Sequence, residues 1–125
     1  MILYPPVDTT RFFPGEKNTA HEYFLSFARL SPPKRVDVII DAFREMPEKR
    51  LIFTYGKNDP EKEKILAKIL AFPNIEAIES PDDTVLISLI QGALAVIYIP
   101  INEDFGMTPI ESMACGIPVI GVDEG

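Results

Sequence analysis

The chain has 125 residues, 46% hydrophobic and 25% charged, which is the composition of a soluble globular domain with its own core. A formal net charge of −7 argues against a general nucleic-acid-binding protein, which would need basic residues to neutralise phosphates. With a single cysteine, Cys115, and a single histidine, His21, the sequence can form neither an internal disulfide nor a multi-histidine metal site.

The apolar stretches are short. The longest, such as residues 93–101, fall far below the roughly 20 residues that a membrane-spanning helix needs. The first residues carry no basic segment followed by a long apolar run, so we expect no signal peptide. We therefore predict a cytoplasmic protein without a transmembrane segment.

In chain order, an irregular lead-in is followed by alternating strands and helices. Prolines and Gly15 mark residues 1–20 as linker-like, and residues 21–125 form the predicted domain. Apolar runs predict strands over residues 23–28, 50–55, 74–78, 94–99 and 117–122. Apolar periodicity predicts helices over residues 35–46, 61–72, from a cap at Ser80 or Asp82 to about residue 91, and over 109–115.

This alternation predicts a parallel sheet covered by helices on both faces. The right-handed crossover rule then gives a doubly wound, Rossmann-like α/β fold. In the second helix we expect one buried face, formed by Ile65, Leu66, Ile69 and Leu70. Ligands bind such sheets at the carboxyl ends of the strands. The candidate binding segments are therefore residues 29–34, 56–59, 79–82, 100–108 and 123–125.

The segment over residues 103–116 is the most informative part of the chain. Thr108 is a suitable N-cap, and Glu111 three residues later would complete a capping box. Gly116 stands where a left-handed C-cap belongs. On this structural interpretation Glu111 only caps the helix and Glu103 is only a loop carboxylate.

A functional interpretation of the same segment is equally open. Gly106 exposes the backbone just before a helix N-terminus, and such a terminus attracts anions. Glu103 and Glu111 could accept hydrogen bonds from sugar and ribose hydroxyls. Amides for phosphate together with carboxylates for hydroxyls are what a nucleotide-sugar site requires.

The sequence resembles a known family in three places. Seven residues separate Glu103 from Glu111, as in the Glu-(seven residues)-Glu motif of the retaining glycosyltransferases of family four. The segment FARLSPPKRV, residues 27–36, is similar to that family's G-R-L-x-x-x-K-G segment. PVDTTRFF, residues 6–13, is similar to the linker that enters the C-terminal, donor-binding lobe of these two-lobed GT-B enzymes. The matches follow the family's order and cover most of the chain.

The resemblance implies a role for each matching residue. Arg29 and Lys34 would grip the diphosphate, because a guanidinium and an ammonium offset the charge on the departing nucleoside diphosphate. Glu111 would accept the ribose hydroxyls, and Glu103 would contact the donor sugar near the reacting centre, as the catalytic residue. Taken alone, Arg29 and Lys34 are better interpreted as solvated surface cations.

The backbone of the same loop completes the implied site. Amides around Phe105, Gly106 and Met107 would hold the sugar and the phosphate. We expect the start of the helix near Thr108 and the two cations to converge on one pocket. Neither a metal nor a further cofactor is implied, because the sequence has no Asp-x-Asp motif.

The chain also departs from the family pattern. Ala28 and Arg35 stand where glycines are common, and Asp104 replaces a frequent glycine. The Glu-Asp-Phe-Gly version is similar to a branch rich in mannosyltransferases of surface-polysaccharide synthesis, which favours GDP-mannose as the donor, with another nucleotide sugar as the alternative. For the loop 56–59, a simple turn is as good an interpretation as a ligand contact.

Together, the resemblance implies transfer of a hexose from a nucleotide diphosphate sugar to an acceptor hydroxyl, with retention. The N-terminal, acceptor-binding lobe and the tail after Gly125 would be missing, so we expect the isolated chain to bind donor weakly and not to turn over. Peripheral membrane association through the full-length enzyme stays open.

Three other kinds of protein could share this pattern of strands and helices. A receiver domain needs acidic residues after the first strand and a phosphorylatable aspartate after the third, whereas Arg29 and Glu79 stand there. Epimerases and phosphorylase relatives of the same fold would not be expected to combine these carboxylates with this Arg-Lys segment. A non-catalytic nucleotide-binding or interaction module of the same fold remains the alternative.

Overall fold

The computed structural model describes residues 6–15, 22–101 and 107–122. Within these ranges it contains the strands β1 (Tyr23–Ser26), β2 (Arg50–Tyr55), β3 (Ile75–Glu79), β4 (Ala95–Ile97) and β5 (Val119–Ile120). The helices are α1 (Val36–Arg44), α2 (Lys62–Lys68), α3 (Asp83–Gln91) and α4 (Met107–Ala114), and a 3-10 turn, Pro32–Lys34, precedes α1.

The strands form one parallel sheet in the order β3-β2-β1-β4-β5. Leu25 of β1 pairs with Ile52 of β2 on one side and with Val96 of β4 on the other. The chain first winds from β1 toward β3 and then crosses back to β4 and β5. This confirms the predicted doubly wound α/β fold and places its switch point between β1 and β4.

Two hydrophobic clusters lie on opposite faces of the sheet, because alternate residues of a strand point to opposite sides. Leu51 and Phe53 belong to the cluster that contains the buried side chains of α1 and α2. Ile52 belongs to the other cluster, with Ile90 of α3 and Cys115 just after α4. Cys115 is a packed residue at a helix end, and burial raises the pKa of its thiol.

The prediction for Leu70 is wrong. Its helix ends at Lys68, and the next residues turn, with the amide of Phe72 bonded to the carbonyl of Ile69. Leu70 is 87% exposed, whereas Ile65 is buried. The prediction extended the apolar period of the helix beyond its last residue, and it therefore placed Leu70 on the buried face.

The predicted cap of α4 is also wrong, while two other caps are confirmed. The helix includes Met107, so Thr108 lies within its first turn, where its carbonyl accepts a hydrogen bond from Ser112 Oγ (2.7 Å). Asp82 caps α3 as predicted, accepting the amide of Val85 at 2.9 Å. Gly116 has φ +75°, the left-handed conformation expected of a C-cap.

Candidate functional site

The switch point brings together the loops that follow β1 and β4. These strands are hydrogen-bonded neighbours and run parallel to each other, so the loops that follow them leave the sheet at the same edge. In doubly wound sheets the crevice at this point is where ligands bind. The site is therefore built from the loop over residues 27–35 and the segment over residues 98–101.

Arg29 lies at this edge with an exposed side chain. Its Nε is 3.6 Å from Oδ1 of Asp59, which is itself only 10% exposed. The other carboxylate oxygen of Asp59 accepts the amides of Leu30 (3.0 Å) and Gly56 (2.8 Å). Asp59 thus joins the loop after β1 to the loop after β2, and its carboxylate pairs with the guanidinium of Arg29.

Asp59 lies in the candidate loop 56–59, but no sequence pattern assigned it a role of its own. The signal that could have found it is the glycine at position 56. A Cβ on Gly56 would lie 2.7 Å from Oδ1 of Asp59, so a larger residue at position 56 would require the carboxylate to shift.

Lys34 ends the 3-10 turn, and its side chain is half-buried. Its Nζ donates to the hydroxyl of Tyr98 at 3.3 Å and lies 5.6 Å from the centre of that ring. Tyr98 is buried just beyond the last residue of β4. Lys34 is therefore held in the crevice between β1 and β4, unlike a freely solvated surface cation.

Arg35 has φ 54° and ψ 34°, the left-handed conformation. This conformation explains why glycine is common at this position in the family that the sequence resembles, because glycine has no Cβ and adopts a positive φ without strain. Here the side chain instead binds the segment after β4. Nε donates to the carbonyl of Ile99 at 2.6 Å, and Nη2 to that of Pro100 at 3.2 Å.

Glu111 lies on α4 and is half-buried. Burial raises the pKa of its carboxyl, Arg11 lowers it, and Asp83 raises it further. Arg11 and Asp83 form an ion pair between the lead-in and the start of α3. The charged surroundings of Glu111 thus include residues of the lead-in and of α3.

The remaining predicted residues are placed only in part. Met107 is the first residue of α4 and is half-buried. Glu103, Phe105 and Gly106 lie outside the described residues. The structure brings Lys34 to the end of β4, and convergence with the start of α4 stays a prediction.

Two other features bear on what could bind. An open groove of about 360 Å³ between α1 and the strands β4 and β5 is lined almost entirely by apolar side chains, including Val38, Ile97 and Ile120. Such a lining does not suit a diphosphate. In the part of the chain that the structure describes, His, Cys, Asp and Glu form no group of three that could hold a metal ion.

Comparison with protein families matches residues 7–125 to the family described as "Glycosyl transferases group 1". A D-inositol 3-phosphate glycosyltransferase of Mycobacteroides abscessus is 27% identical over 99% of this chain and 31% of its own length. An alpha-1,3/1,6-mannosyltransferase, ALG2, of Kluyveromyces lactis is 27% identical over 93% of this chain and 24% of its own length. The chain thus spans about a third or less of these relatives.

Solved structures share the fold. The sucrose-phosphate synthase of Thermosynechococcus elongatus superposes with a TM-score of 0.82 at 21% identity, over 95% of this chain and 34% of that one. A C-terminal domain of a glycosyl transferase group 1 family protein, LpcC, from Francisella tularensis superposes with a TM-score of 0.70 at 20% identity, over 93% and 70%. Among the described residues, no helix has the length and apolar character to cross a membrane.

Proposed function

The chain belongs to the group 1 glycosyl transferases, and from that membership we propose that it is the donor-binding part of a retaining hexosyltransferase. The observation that carries the proposal is the position of Lys34. Its ammonium is held in the switch-point crevice, against Tyr98 at the end of β4, where a fold of this type binds its ligand. The exposed guanidinium of Arg29 extends from the same loop.

In the proposed complex these two cations bind the diphosphate of the donor. Their charge offsets the negative charge that develops on the leaving nucleoside diphosphate as the glycosidic bond breaks. Glu111 accepts the ribose hydroxyls, Glu103 contacts the hexose, and the backbone around Met107 binds sugar and phosphate. Retention of the anomeric configuration is part of the proposal.

The donor that we propose is GDP-mannose. Two observations support it: the Glu-Asp-Phe-Gly sequence over residues 103–106, and a mannosyltransferase among the relatives. We further propose that the chain corresponds to the C-terminal lobe of a two-lobed enzyme. The superposed LpcC structure, itself a C-terminal domain, supports this assignment, and so does the short span of the relatives that the chain covers.

The test is a titration of the chain with GDP, UDP and GDP-mannose, in which calorimetry and NMR chemical-shift changes measure the binding. We expect the chain to bind all three ligands, and the guanine nucleotides most tightly. Lys34→Ala and Glu111→Ala should each weaken this binding about tenfold or more, since each removes a charged or bidentate contact. Lys64→Ala is the matched control, because Lys64 is an exposed lysine of α2 paired with Glu61. An absence of binding for all three ligands would favour a non-catalytic interaction module instead.

A further inference from the structure

Arg35 adopts a backbone conformation that is costly for any residue with a Cβ. Its φ of 54° lies in the left-handed region, where the side chain crowds the following carbonyl. Its amide closes the 3-10 turn by donating to Pro32 at 3.2 Å, and α1 begins at the next residue. A strained residue persists where the surrounding structure compensates for it, so the side-chain contacts carry the explanation.

Two side-chain hydrogen bonds of Arg35 to described residues lie on the segment that leaves β4. The strand ends at Ile97, so the carbonyls of Ile99 and Pro100 lie beyond its last described ladder pair. The guanidinium of Arg35 donates to both of them, at 2.6 and 3.2 Å. The rigid, planar fork of a guanidinium presents its donors at a fixed spacing that suits two successive carbonyls, whereas an ammonium has three donors on a flexible stem without that fixed geometry.

The same segment is tied to the turn by its backbone. The amide of Ile101 donates to the carbonyl of Pro33 at 2.7 Å. Pro33 and Lys34 belong to the 3-10 turn that ends just before Arg35, so their contacts with Ile101 and Tyr98 join the same two segments as the contacts of Arg35 do. The turn after β1 and the exit from β4 are therefore joined by hydrogen bonds that involve three successive residues, 33 to 35.

We propose that Arg35 is a positioning residue, which fixes the course of the chain where it leaves β4 by binding the carbonyls of Ile99 and Pro100. The inference rests on the proposed function, because this exit leads to the start of α4 and borders the crevice that holds Lys34. Arg35 acts through the geometry of this segment and of Lys34, and the cations of the donor site remain Arg29 and Lys34.

The first test measures the brace without any ligand. In Arg35→Gly the left-handed backbone is kept without strain, and only the side-chain contacts are lost. We expect hydrogen–deuterium exchange at the amide of Ile101 to become at least about tenfold faster, while the core amide of Leu51 keeps its protection. Arg35→Lys should restore part of the protection, because its ammonium keeps hydrogen-bond donors near these carbonyls but lacks the fixed geometry of the guanidinium.

The matched control is Ser80→Gly, at the other described non-glycine residue with positive φ, 42°. It removes backbone strain in the same way but lies after β3, so Ile101 should exchange as in the parent chain. Unchanged exchange at Ile101 in Arg35→Gly would overturn the proposal, and so would equal acceleration in Ser80→Gly.

The second test links the brace to binding. We expect Arg35→Gly to weaken GDP binding at least about threefold and Arg35→Lys to recover part of it, a response that a purely structural role would not produce. If the parent chain binds GDP and Arg35→Gly binds it equally well, the positioning role is overturned. If the parent chain binds no nucleotide, the proposed function fails, and the exchange measurement still decides whether Arg35 braces the segment.

Discussion

Glu111 is a half-buried carboxyl whose pKa is raised above its ordinary value of 4.5, first of all by burial. The folded chain therefore holds this proton more tightly than the unfolded chain does. The resulting stabilisation is present below the unfolded pKa and is lost as the pH rises through the folded pKa. At neutral pH the ionised carboxylate makes folding less favourable than a neutral side chain would.

From this sign we predict that Glu111→Gln raises the free energy of unfolding at about pH 8 and that the gain disappears below about pH 4. Urea denaturation at the two pH values measures it, with Glu63→Gln, on an exposed position of α2, as control. The same variant should bind nucleotide more weakly if Glu111 accepts ribose hydroxyls. A variant that is no more stable at the higher pH would contradict the prediction.

Asp59 is the second residue whose environment decides its role. One of its oxygens accepts two backbone amides and the other faces Arg29. We predict that Asp59→Ala destabilises the chain by about 2 kcal/mol, since buried amides lose their acceptor. Asp59→Asn, which keeps one oxygen for those amides, should cost clearly less. Urea midpoints compare the two, and equal losses would show that the amides do not depend on this acceptor.

At the scale of elements, the helix termini show how local rules act. Asp82 has an extended backbone and accepts the amide of Val85, the usual N-cap geometry. Thr108 has the right residue type, but α4 already includes Met107, so Thr108 lies inside the helix. Residue type identifies candidate caps, and the position where the chain enters the helix selects among them.

The cap of α3 gives an element-scale prediction. Asp82→Ala should lower the free energy of unfolding by about 1 kcal/mol, because the amide of Val85 loses its side-chain acceptor. Asp82→Asn, which can still accept that bond, should stay close to the parent chain. Thermal unfolding of the three proteins tests this, and the idea fails if the alanine and asparagine variants are equally stable.

At the scale of the whole molecule, the chain spans 31% and 24% of two of its relatives. If the chain is the donor-binding part, as proposed, we predict that by itself it binds a nucleotide sugar weakly and transfers no sugar, because transfer requires donor and acceptor to be held together. Incubation with radiolabelled GDP-mannose and a panel of acceptors measures this. Glycosyl transfer by this polypeptide alone, above the level of Lys34→Ala, would refute it.

Much of the architecture followed from local sequence patterns. Apolar runs located the strands, and β2 was predicted at its observed bounds, Arg50–Tyr55. Strand and helix alternation gave the parallel, doubly wound sheet, because few topologies satisfy the crossover rule. Gly116 and Asp82 were predictable as caps because capping depends on neighbours within a few residues. Leu70 shows the limit of such patterns, since the apolar period alone does not reveal that α2 ends before this residue.

What the sequence determined by itself was the fold and the residue types near the carboxyl ends of the strands. Tertiary structure alone decided which of them meet: Asp59 with Arg29, Lys34 with Tyr98, and Arg35 with the carbonyls of Ile99 and Pro100. Residues 34 and 98 are 64 positions apart, and a local pattern holds no record of such a contact. The parallel pairing of β1 with β4 creates it, because that pairing brings two distant loops to one edge of the sheet.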